Sequence, residues 1–387
     1  MKRTILILAM VLPVTALAQT NDTAVDANHP VARIELDAAL RTLKPGPAAS
    51  GPLALPAPIF AFPQQATSTP QPPTPKAPDQ GSRMRGEGSM VGYIDNAIVG
   101  SQLRVRFDAG FHTDFPDRAE FFYAKCGCYR DLVGSGLPAT DPNARGPHPG
   151  VATDLNFQQL YINGEYAPNS RISAFIDLPF RWLQPKAFVP GTGNFSNQSG
   201  LGDIRVGAKV GIVDSELRHV SFQFRFDTKS GKASSGLGTG HTSIEPAVLY
   251  YERISSSFAI ESEFAFWHPI NGSAGVASSS SSTPESFAGN VLFYGVGPSY
   301  QLYSANNFAI RPVVELAGWH VLGGYQTVWV SPTRIGDLVK GTDVVNLKMG
   351  VRTAIGPRSS IYAGYGRALT DAVWYKDIVR IEYRYSF

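Results

Sequence analysis

The chain has 387 residues, of which 17% are charged, and a formal net charge of +3. Soluble domains average about 25% charged residues, so the sequence is poor in charge for a soluble protein. A basic excess this small, without runs of Lys or Arg, argues against nucleic-acid binding. The sequence also shows no cluster with zinc-ligand spacing, and it implies neither a metal nor a cofactor.

The first eighteen residues predict a secretory signal peptide. Lys2 and Arg3 precede an apolar run at 5–14, and Ala-Leu-Ala at 16–18 forms a cleavage site. Pro13 interrupts the run, which is shorter than the ~20 residues of a membrane-spanning helix. No second long apolar run follows in the sequence, so a helical membrane protein is excluded. Any membrane span must therefore be built from the strands of a β-barrel.

Residues 19–90 are rich in Pro and Ala and predict a flexible periplasmic segment. Apolar residues between 31 and 43 have near-helical spacing, which permits one short amphipathic helix. Between Pro45 and Pro78 the chain has too few apolar side chains to build a packed core. Two interpretations stay open for this segment, a solvated tether and an arm that recruits a periplasmic partner.

From residue 91 onward, apolar and polar residues alternate in segments separated by turn residues. Leu103, Val105 and Phe107, for example, alternate with Arg104 and Arg106. This period-2 pattern predicts strands with one apolar and one polar face. We expect about twelve strands, each near the ~9–11 residues of a tilted membrane strand, at 103–111, 155–166, 172–180, 204–212, 220–226, 243–252, 258–267, 290–301, 308–319, 345–355, 360–369 and 379–387.

The connections between these segments alternate between long and short. The long ones lie at 113–154, 183–200, 228–242, 268–289 and 322–344, and the short ones at 168–169, 214–217, 253–257, 303–307 and 356–358. Only the last outer connection, at 370–372, departs from the pattern, because it is short. Short periplasmic turns and long outer loops are typical of an outer-membrane barrel with an even number of strands. The fold predicted is therefore all-β, a transmembrane antiparallel β-barrel of about twelve strands over residues 91–387 in the outer membrane.

The two faces of the predicted strands can be assigned to lipid and lumen. An Arg or Lys in the middle of the lipid face would cost about 2–4 kcal/mol, so the polar faces must point inward. The predicted pore-lining residues are Arg104, Arg106, Asp108, Arg171, Asp177, Arg205, Lys209, Arg225, Asp227, Glu261, Glu263, Arg311, Glu315, Lys348, Arg352, Arg380, Glu382 and Arg384. These charges either sort solutes through a transverse field or brace the barrel by pairing with one another.

Several motifs resemble one family of bacterial barrels. They are G-L-G-D-I-R-V-G-A-K at 200–209, G-T-G-H at 238–241 with E-P at 245–246, E-L-A-G-W at 315–319, G-Y-G-R-A-L-T at 364–370, and R-I-E-Y-R at 380–384. The sequence resembles, from about residue 92 to its end, the outer-membrane transporter-type barrels of the MetA-pathway of phenol degradation family. The resemblance implies a channel or transporter and leaves the solute open.

Three tryptophans lie at the long-loop ends of their strands and, by parity, point inward: Trp267, Trp319 and Trp374. They predict an aromatic mouth that suits aromatic or hydrophobic solutes. The alternative is an interfacial girdle, where tryptophan is common.

The first long loop holds the two cysteines of the chain, Cys126 and Cys128. One intervening residue makes a strained ring, so we expect a reducible loop disulfide or free thiols. The loop either folds into the lumen as a constriction or stays on the surface.

An enzyme is the rival class, because some membrane barrels are lipid-modifying hydrolases. His241, His268 and His320 lie near loop-side strand ends, but no G-x-S-x-G or H-E-x-x-H motif occurs. We therefore predict no catalytic residues and a channel for passive uptake or efflux of small solutes. The remaining alternative is a structural barrel whose proline-rich arm binds a periplasmic partner.

The sequence closes on an aromatic residue after an alternating strand. Phe387 is, by resemblance to outer-membrane barrels, a candidate signal for the barrel-assembly machinery, and the alternative is a girdle aromatic. The expected partners are thus the lipid bilayer, a small solute and the assembly machinery.

Overall fold

The computed structural model describes residues 89–114, 146–147, 149–150, 152–188, 190–191, 193–270, 272, 288–305, 307–330 and 333–387, with the backbone alone at 325–330 and 333–338. The predicted signal peptide, the segment from 19 to 88, and the Cys126/Cys128 pair lie outside these residues. Across the part described, no helix has the length and apolar character needed to cross a membrane.

The described residues form sixteen strands and one short 3-10 turn at Ala233–Ser235. The strands are β1 (Gln102–Thr113), β2 (Ala152–Asn169), β3 (Ile172–Phe188), β4 (Gln198–Leu201), β5 (Arg205–Asp214), β6 (Arg218–Asp227), β7 (Thr242–Arg253), β8 (Phe258–Ile270), β9 (Val291–Tyr300), β10 (Tyr303–Ala305), β11 (Phe308–Val321), β12 (Tyr325–Val330), β13 (Thr333–Leu338), β14 (Asp343–Ile355), β15 (Ser359–Ala368) and β16 (Asp377–Ser386).

Twelve of the strands close into one antiparallel ring. Its order is β1-β2-β3-β5-β6-β7-β8-β9-β11-β14-β15-β16, and β16 pairs back with β1 through Asp108 opposite Arg380. The short strands β4 and β10 pair with β3 and β11, while β12 and β13 form a separate hairpin. The predicted twelve-stranded barrel is confirmed. Closure leaves no unpaired sheet edge, which a strand structure needs within a bilayer.

In the ring, charged side chains are buried and large apolar side chains are exposed, which is the reverse of a soluble protein. Charged side chains such as Glu315, Arg352 and Glu382 are 0–1% exposed. Large apolar side chains lie on the outer surface, among them Leu103, Phe107, Ile176, Phe222, Phe264, Met349, Ile361 and Ile381. An apolar band outside and a polar interior are the properties of a barrel embedded in the outer membrane, which is where this chain is placed.

The two ends of the barrel differ in their connections. At one end, tight turns at 170–171, 215–217, 254–257 and 356–358 join neighbouring strands. At the other end lie the longer segments 228–241, 322–342 and 369–376, the second of which carries the β12–β13 hairpin. We call these the short-turn end and the long-loop end; β1 starts at the short-turn end.

Residues 89–99, which we call the plug, precede β1 and lie inside the lumen. Ser89 contacts Arg384 and Gly92 contacts Arg380, so the plug rises along β16 toward the middle of the barrel. It then descends along β6, because Asp95 contacts Arg225 and Ala97 contacts Ser221. The plug thus enters and leaves at the short-turn end.

The plug was not predicted from the sequence. Ser89 and Met90 fall in the segment expected to be flexible, yet they are 1% and 4% exposed within the lumen. The sequence does not indicate the plug, because residues 89–99 have no strand or helix period and contact wall residues that are distant in sequence.

Candidate functional site

The centre of the lumen is organised by Glu315 on β11. Its two carboxylate oxygens accept hydrogen bonds from the amides of Gly92, Tyr93 and Ile94, at 2.9, 2.9 and 3.0 Å. The hydroxyl of Tyr362 donates a fourth hydrogen bond at 3.2 Å. Hydrogen bonds to charged groups contribute about 1.5–3 kcal/mol each, so Glu315 is the main anchor of the plug.

Two carboxylates on β8 hold the amides on either side of this anchor. Glu261 accepts from Met90 at 2.7 Å and from Val91 at 3.3 Å, and Glu263 accepts from Asp95 at 2.6 Å. Three wall carboxylates therefore bind six consecutive plug amides, from residue 90 to residue 95.

Arginines of the wall bind the carbonyl oxygens of the plug. The pairs are Arg384 with Ser89 at 2.9 Å, Arg352 with Met90 at 3.0 Å and with Val91 at 2.8 Å, and Arg380 with Gly92. Buried backbone groups need partners, and here side chains supply the partners that a helix or sheet would otherwise supply. The plug is therefore bound to the wall as a ligand is bound.

Asp95 extends this binding to the opposite wall. Its carboxylate accepts hydrogen bonds from Arg225 and from the side-chain amide of Gln223, the latter at 2.8 Å, and Arg225 also donates to Glu245. Asp95 therefore joins the plug to the wall on the far side of the lumen.

Glycines make the room that the plug occupies. A Cβ on Gly92 would lie 2.3 Å from the ring of Tyr362, and a Cβ on Gly295 of β9 would lie 2.3 Å from Ile94 Cγ2. Any side chain at either position would force the plug away from the wall.

A cavity of about 120 Å³ lies between the plug and the long-loop end. Tyr93 and Asp95 of the plug contribute to its lining. Its other aromatic lining residues are Phe157, Tyr161, Trp267, Phe293, Trp319 and Tyr375.

The charged lining of this cavity is polarised across the barrel. Strands β11, β14, β15, β16, β1 and β2 contribute four bases and one acid, namely Arg104, Arg106, Lys348, Arg380 and Asp108. Strands β3 to β9 together with the plug contribute two bases and five acids, namely Arg205, Arg225, Asp95, Asp177, Asp227, Glu245 and Glu263. The two sides carry formal charges of +3 and −3, which creates a field across the lumen.

All but one of the predicted pore-lining residues lie within the barrel. Arg171 is the exception: it is exposed at the turn before β3 and donates to the carbonyls of Gly211 and Ile212 at 3.4 and 3.3 Å. The prediction that Arg171 lines the pore is therefore corrected. A charged side chain at the short-turn end is in contact with water, so it can lie outside the lumen without a desolvation cost.

Many of the interior charges pair with one another. These pairs include Arg380 with Asp108 at 2.6 Å, Arg205 with Asp227 at 2.9 Å, Arg352 with Glu382 at 2.9 Å and Lys209 with Glu165 at 3.2 Å. Glu165 and Glu245 were missed as interior residues. Glu165 shares its inward parity with Gln159 and Asn163, and that spacing of two was the available signal.

The tryptophans expected at the mouth lie in a buried apolar cluster at the long-loop end. Trp267, Trp319 and Trp374 are 5%, 4% and 3% exposed, and the rings of Trp319 and Trp374 meet edge to face at 6.5 Å. Further members of the cluster are Leu155, Phe157, Leu183, Leu237, Val291, Val321, Val339, Val344, Tyr375 and Ile378. This cluster fills the interior near the long loops.

Two of the sequence motifs meet at a loop. Asp203, from G-L-G-D, accepts hydrogen bonds from the amide of Gly231 at 2.9 Å and from the amide and hydroxyl of Thr239 at 2.7 and 2.9 Å. A Cβ on Gly238 would lie 2.3 Å from the Asp203 carboxylate. These motif residues therefore fix the segment between β6 and β7.

The loop-side histidines contact different groups. His268 lies 2.7 Å from Asn290 Oδ1, and His320 lies 2.7 Å from Asp343 Oδ1. His241 packs against the ring of Trp267 with 5.7 Å between ring centroids. Among the described residues, these contacts do not join the three histidines at one nucleophile.

We expect Glu315→Ala to release the plug, because three amides lose their acceptor. Val91→Cys, in a Cys126→Ser/Cys128→Ser background, reports release through its reaction with a maleimide, since Val91 is 1% exposed. Adding Glu315→Ala should raise the labelling rate about tenfold or more, in line with local opening that is at least about 1.4 kcal/mol easier.

Glu252→Ala is the matched control, because Glu252 bonds to Arg218 near the short-turn end and touches no plug residue described. Equal labelling rates in the Glu315→Ala and Glu252→Ala proteins would show that Glu315 does not hold the plug.

Comparison with known proteins gives one family match and several structural likenesses. The family model described as "Putative MetA-pathway of phenol degradation" matches residues 155–266. No curated protein matches the chain.

Among solved structures, the COG4313 outer membrane channel from Pseudomonas putida F1 is 14% identical, with a TM-score of 0.45 over 75% of this chain and 96% of that one. The beta domain of the Bordetella autotransporter BrkA is 16% identical, with a TM-score of 0.42 over 74% of this chain and 100% of that one. The NanC porin is 9% identical, with a TM-score of 0.40 over 74% and 100%.

The matched range begins in β2 and ends in β8, and it includes the 200–209 and 238–246 motifs described above. The resemblance to the MetA-pathway of phenol degradation family, which those motifs predicted, is thereby confirmed over residues 155–266.

Proposed function

We propose that this barrel is a gated channel for small solutes, in which the plug closes the short-turn half of the lumen. One observation carries the proposal: the plug is held by wall side chains and does not pair with any barrel strand. A segment bound in this way can leave without breaking the barrel. Uptake or efflux is then passive and follows the solute gradient.

The chemistry of the wall supports a reversible plug. When the plug leaves, Glu261, Glu315 and Arg352 lose protein partners and gain water. Exchange of a protein hydrogen bond for a water hydrogen bond costs far less than the bond is worth in an apolar medium. The same charged groups then line a hydrated path, as rings of charged side chains do in selective pores.

The lining of the cavity indicates the kind of solute. Rings of Phe157, Trp267, Phe293, Trp319 and Tyr375 border a space of about 120 Å³. Aromatic walls favour solutes with an apolar or π face. The phenol degradation named in the description of the matching family is consistent with small aromatic solutes.

Channel opening is testable with Gly295→Ala, which would place a Cβ 2.3 Å from Ile94 of the plug. Overpacking of this kind costs about 1–3 kcal/mol, which corresponds to a population shift of about 5- to 150-fold. In planar bilayers we expect the variant to spend a correspondingly larger fraction of time open than the unmodified protein.

Gly164→Ala is the matched control, since a Cβ on Gly164 of β2 meets no atom within 4 Å. It should behave as the unmodified protein does. Absence of single-channel current in the unmodified protein and in both variants would contradict the channel proposal. Identical currents in all three would show that the plug is not the gate.

We further propose that Phe387 is a signal for assembly of this barrel in the outer membrane. Its amide donates to the carbonyl of Ser101 at 3.1 Å, its ring stacks on Tyr385 with 6.5 Å between centroids, and the side chain is 49% exposed. The exposed ring leaves a face that the barrel-assembly machinery can bind.

Deletion of Phe387 should reduce the amount of assembled barrel in outer membranes while leaving refolding in detergent nearly unchanged. Heat-dependent migration in gels measures both. Equal losses in the two settings would instead assign Phe387 to barrel stability.

A further inference from the structure

Lys348 on β14 is a buried cation without an anionic partner in the described part of the chain. It is 3% exposed and borders the cavity described above. Its cross-strand neighbour is Glu315, but no carboxylate oxygen of the described residues lies within 4.0 Å of its ammonium. Glu315 is instead occupied by three plug amides and the Tyr362 hydroxyl.

The other acid on this side of the cavity is also occupied. Asp108 receives two hydrogen bonds from Arg380, at 2.6 and 2.7 Å, and lies 3.5 Å from Arg106 Nε. Neither nearby carboxylate is therefore available to Lys348.

Aromatic rings surround the ammonium of Lys348. It lies 4.2 Å from the ring centroid of Tyr93, 5.1 Å from that of Trp319 and 5.9 Å from that of Tyr375. A cation–π contact is worth about 0.5–2 kcal/mol. Removing an ion from water costs several kcal/mol even after the protein relaxes, so the rings alone leave this cation under-compensated.

We propose that the cavity binds a small aromatic monocarboxylate, with the Lys348 ammonium on the carboxylate and the rings of Trp319 and Phe293 against its apolar body. These two rings lie 5.3 Å apart, centroid to centroid, and both border the cavity. The cavity of about 120 Å³ is smaller than the apolar cavity of about 150 Å³ that takes up benzene, so it limits the ligand to a single ring.

The polarity of the cavity sets both the sign and the number of charges on the ligand. Lys348, Arg106 and Arg380 lie on the positive side, so a carboxylate is attracted there. The far side carries Asp177, Asp227, Glu245, Glu263 and Asp95. A second carboxylate on the ligand would be pushed toward these acids, and like charges brought together are costly. The site therefore selects a monoanion.

This inference rests on the proposed function, because the cavity lies on the path that solutes would take. It names the class of solute that pauses there. Binding can nevertheless be measured without conduction, so the two can fail separately.

Benzoate is the probe, titrated into the full-length protein in detergent and followed by calorimetry. Three further compounds serve as comparisons. Acetate lacks the aromatic ring, benzyl alcohol lacks the charge, and terephthalate carries a second carboxylate. We expect saturable benzoate binding, and each of the other three compounds to bind at least about tenfold more weakly, a difference of about 1.4 kcal/mol.

Lys348→Met keeps the length of the side chain and removes its charge, and it should weaken benzoate binding at least about tenfold while leaving benzyl alcohol unchanged. Trp319→Leu should weaken benzoate more than acetate. Lys232→Met, which changes an exposed lysine, is the control and should bind as the unmodified protein does. Heat-dependent migration in gels confirms that each variant is folded.

Equal benzoate affinity in the Lys348→Met and unmodified proteins would overturn the proposal, as would no saturable binding at millimolar benzoate. Acetate as tight as benzoate would indicate a simple anion site, and benzyl alcohol as tight would indicate an apolar pocket; either result contradicts an aromatic carboxylate site. Conduction without benzoate binding would support the channel proposal and contradict the proposed binding site. Benzoate binding without conduction would support the binding site and contradict the channel proposal.

Discussion

A bilayer offers the backbone no hydrogen-bond partners, and this constraint governs both the wall of the barrel and its interior. Outside, it forces the strands into a closed ring with apolar side chains toward lipid. Inside, it concentrates arginines, lysines and carboxylates in a narrow space. Those groups need partners as well, and residues 89–99 supply them with backbone amides and carbonyls. The plug and the charged wall therefore stabilise each other.

The same arrangement fills the lumen without joining the plug to the strand ladder. Glu315 holds the middle of the plug by three amides at 2.9–3.0 Å, and Arg352 and Arg380 hold its carbonyls. None of these contacts is part of the strand ladder. Above the plug, a polarised cavity and the cluster around Trp267, Trp319 and Trp374 separate the lumen from the long loops. In the proposed channel, opening requires movement of interior segments, while the ring stays intact.

Much of the fold could be predicted because strand period and bilayer energetics act locally. Alternation such as Leu103-Arg104-Val105-Arg106 indicates a strand and assigns its faces within a few residues. The plug could not be predicted in this way. Its bonds join residues far apart in sequence, 171 positions from Met90 to Glu261 and 295 from Ser89 to Arg384. In the sequence, Lys348 likewise looks like any other inward charge. It differs only because the carboxylates of Glu315 and Asp108 are already bound by other groups, which the structure alone shows.

Hydrogen exchange of the unmodified protein in lipid bilayers tests the central claim, that wall side chains hold residues 90–95 inside the lumen. If they do, these six amides exchange slowly, on the timescale of the β8 and β11 strands whose carboxylates hold them. Exchange as fast as that of the exposed turn at 215–217 would contradict the claim, because amides bound to Glu261, Glu263 and Glu315 cannot be open to water.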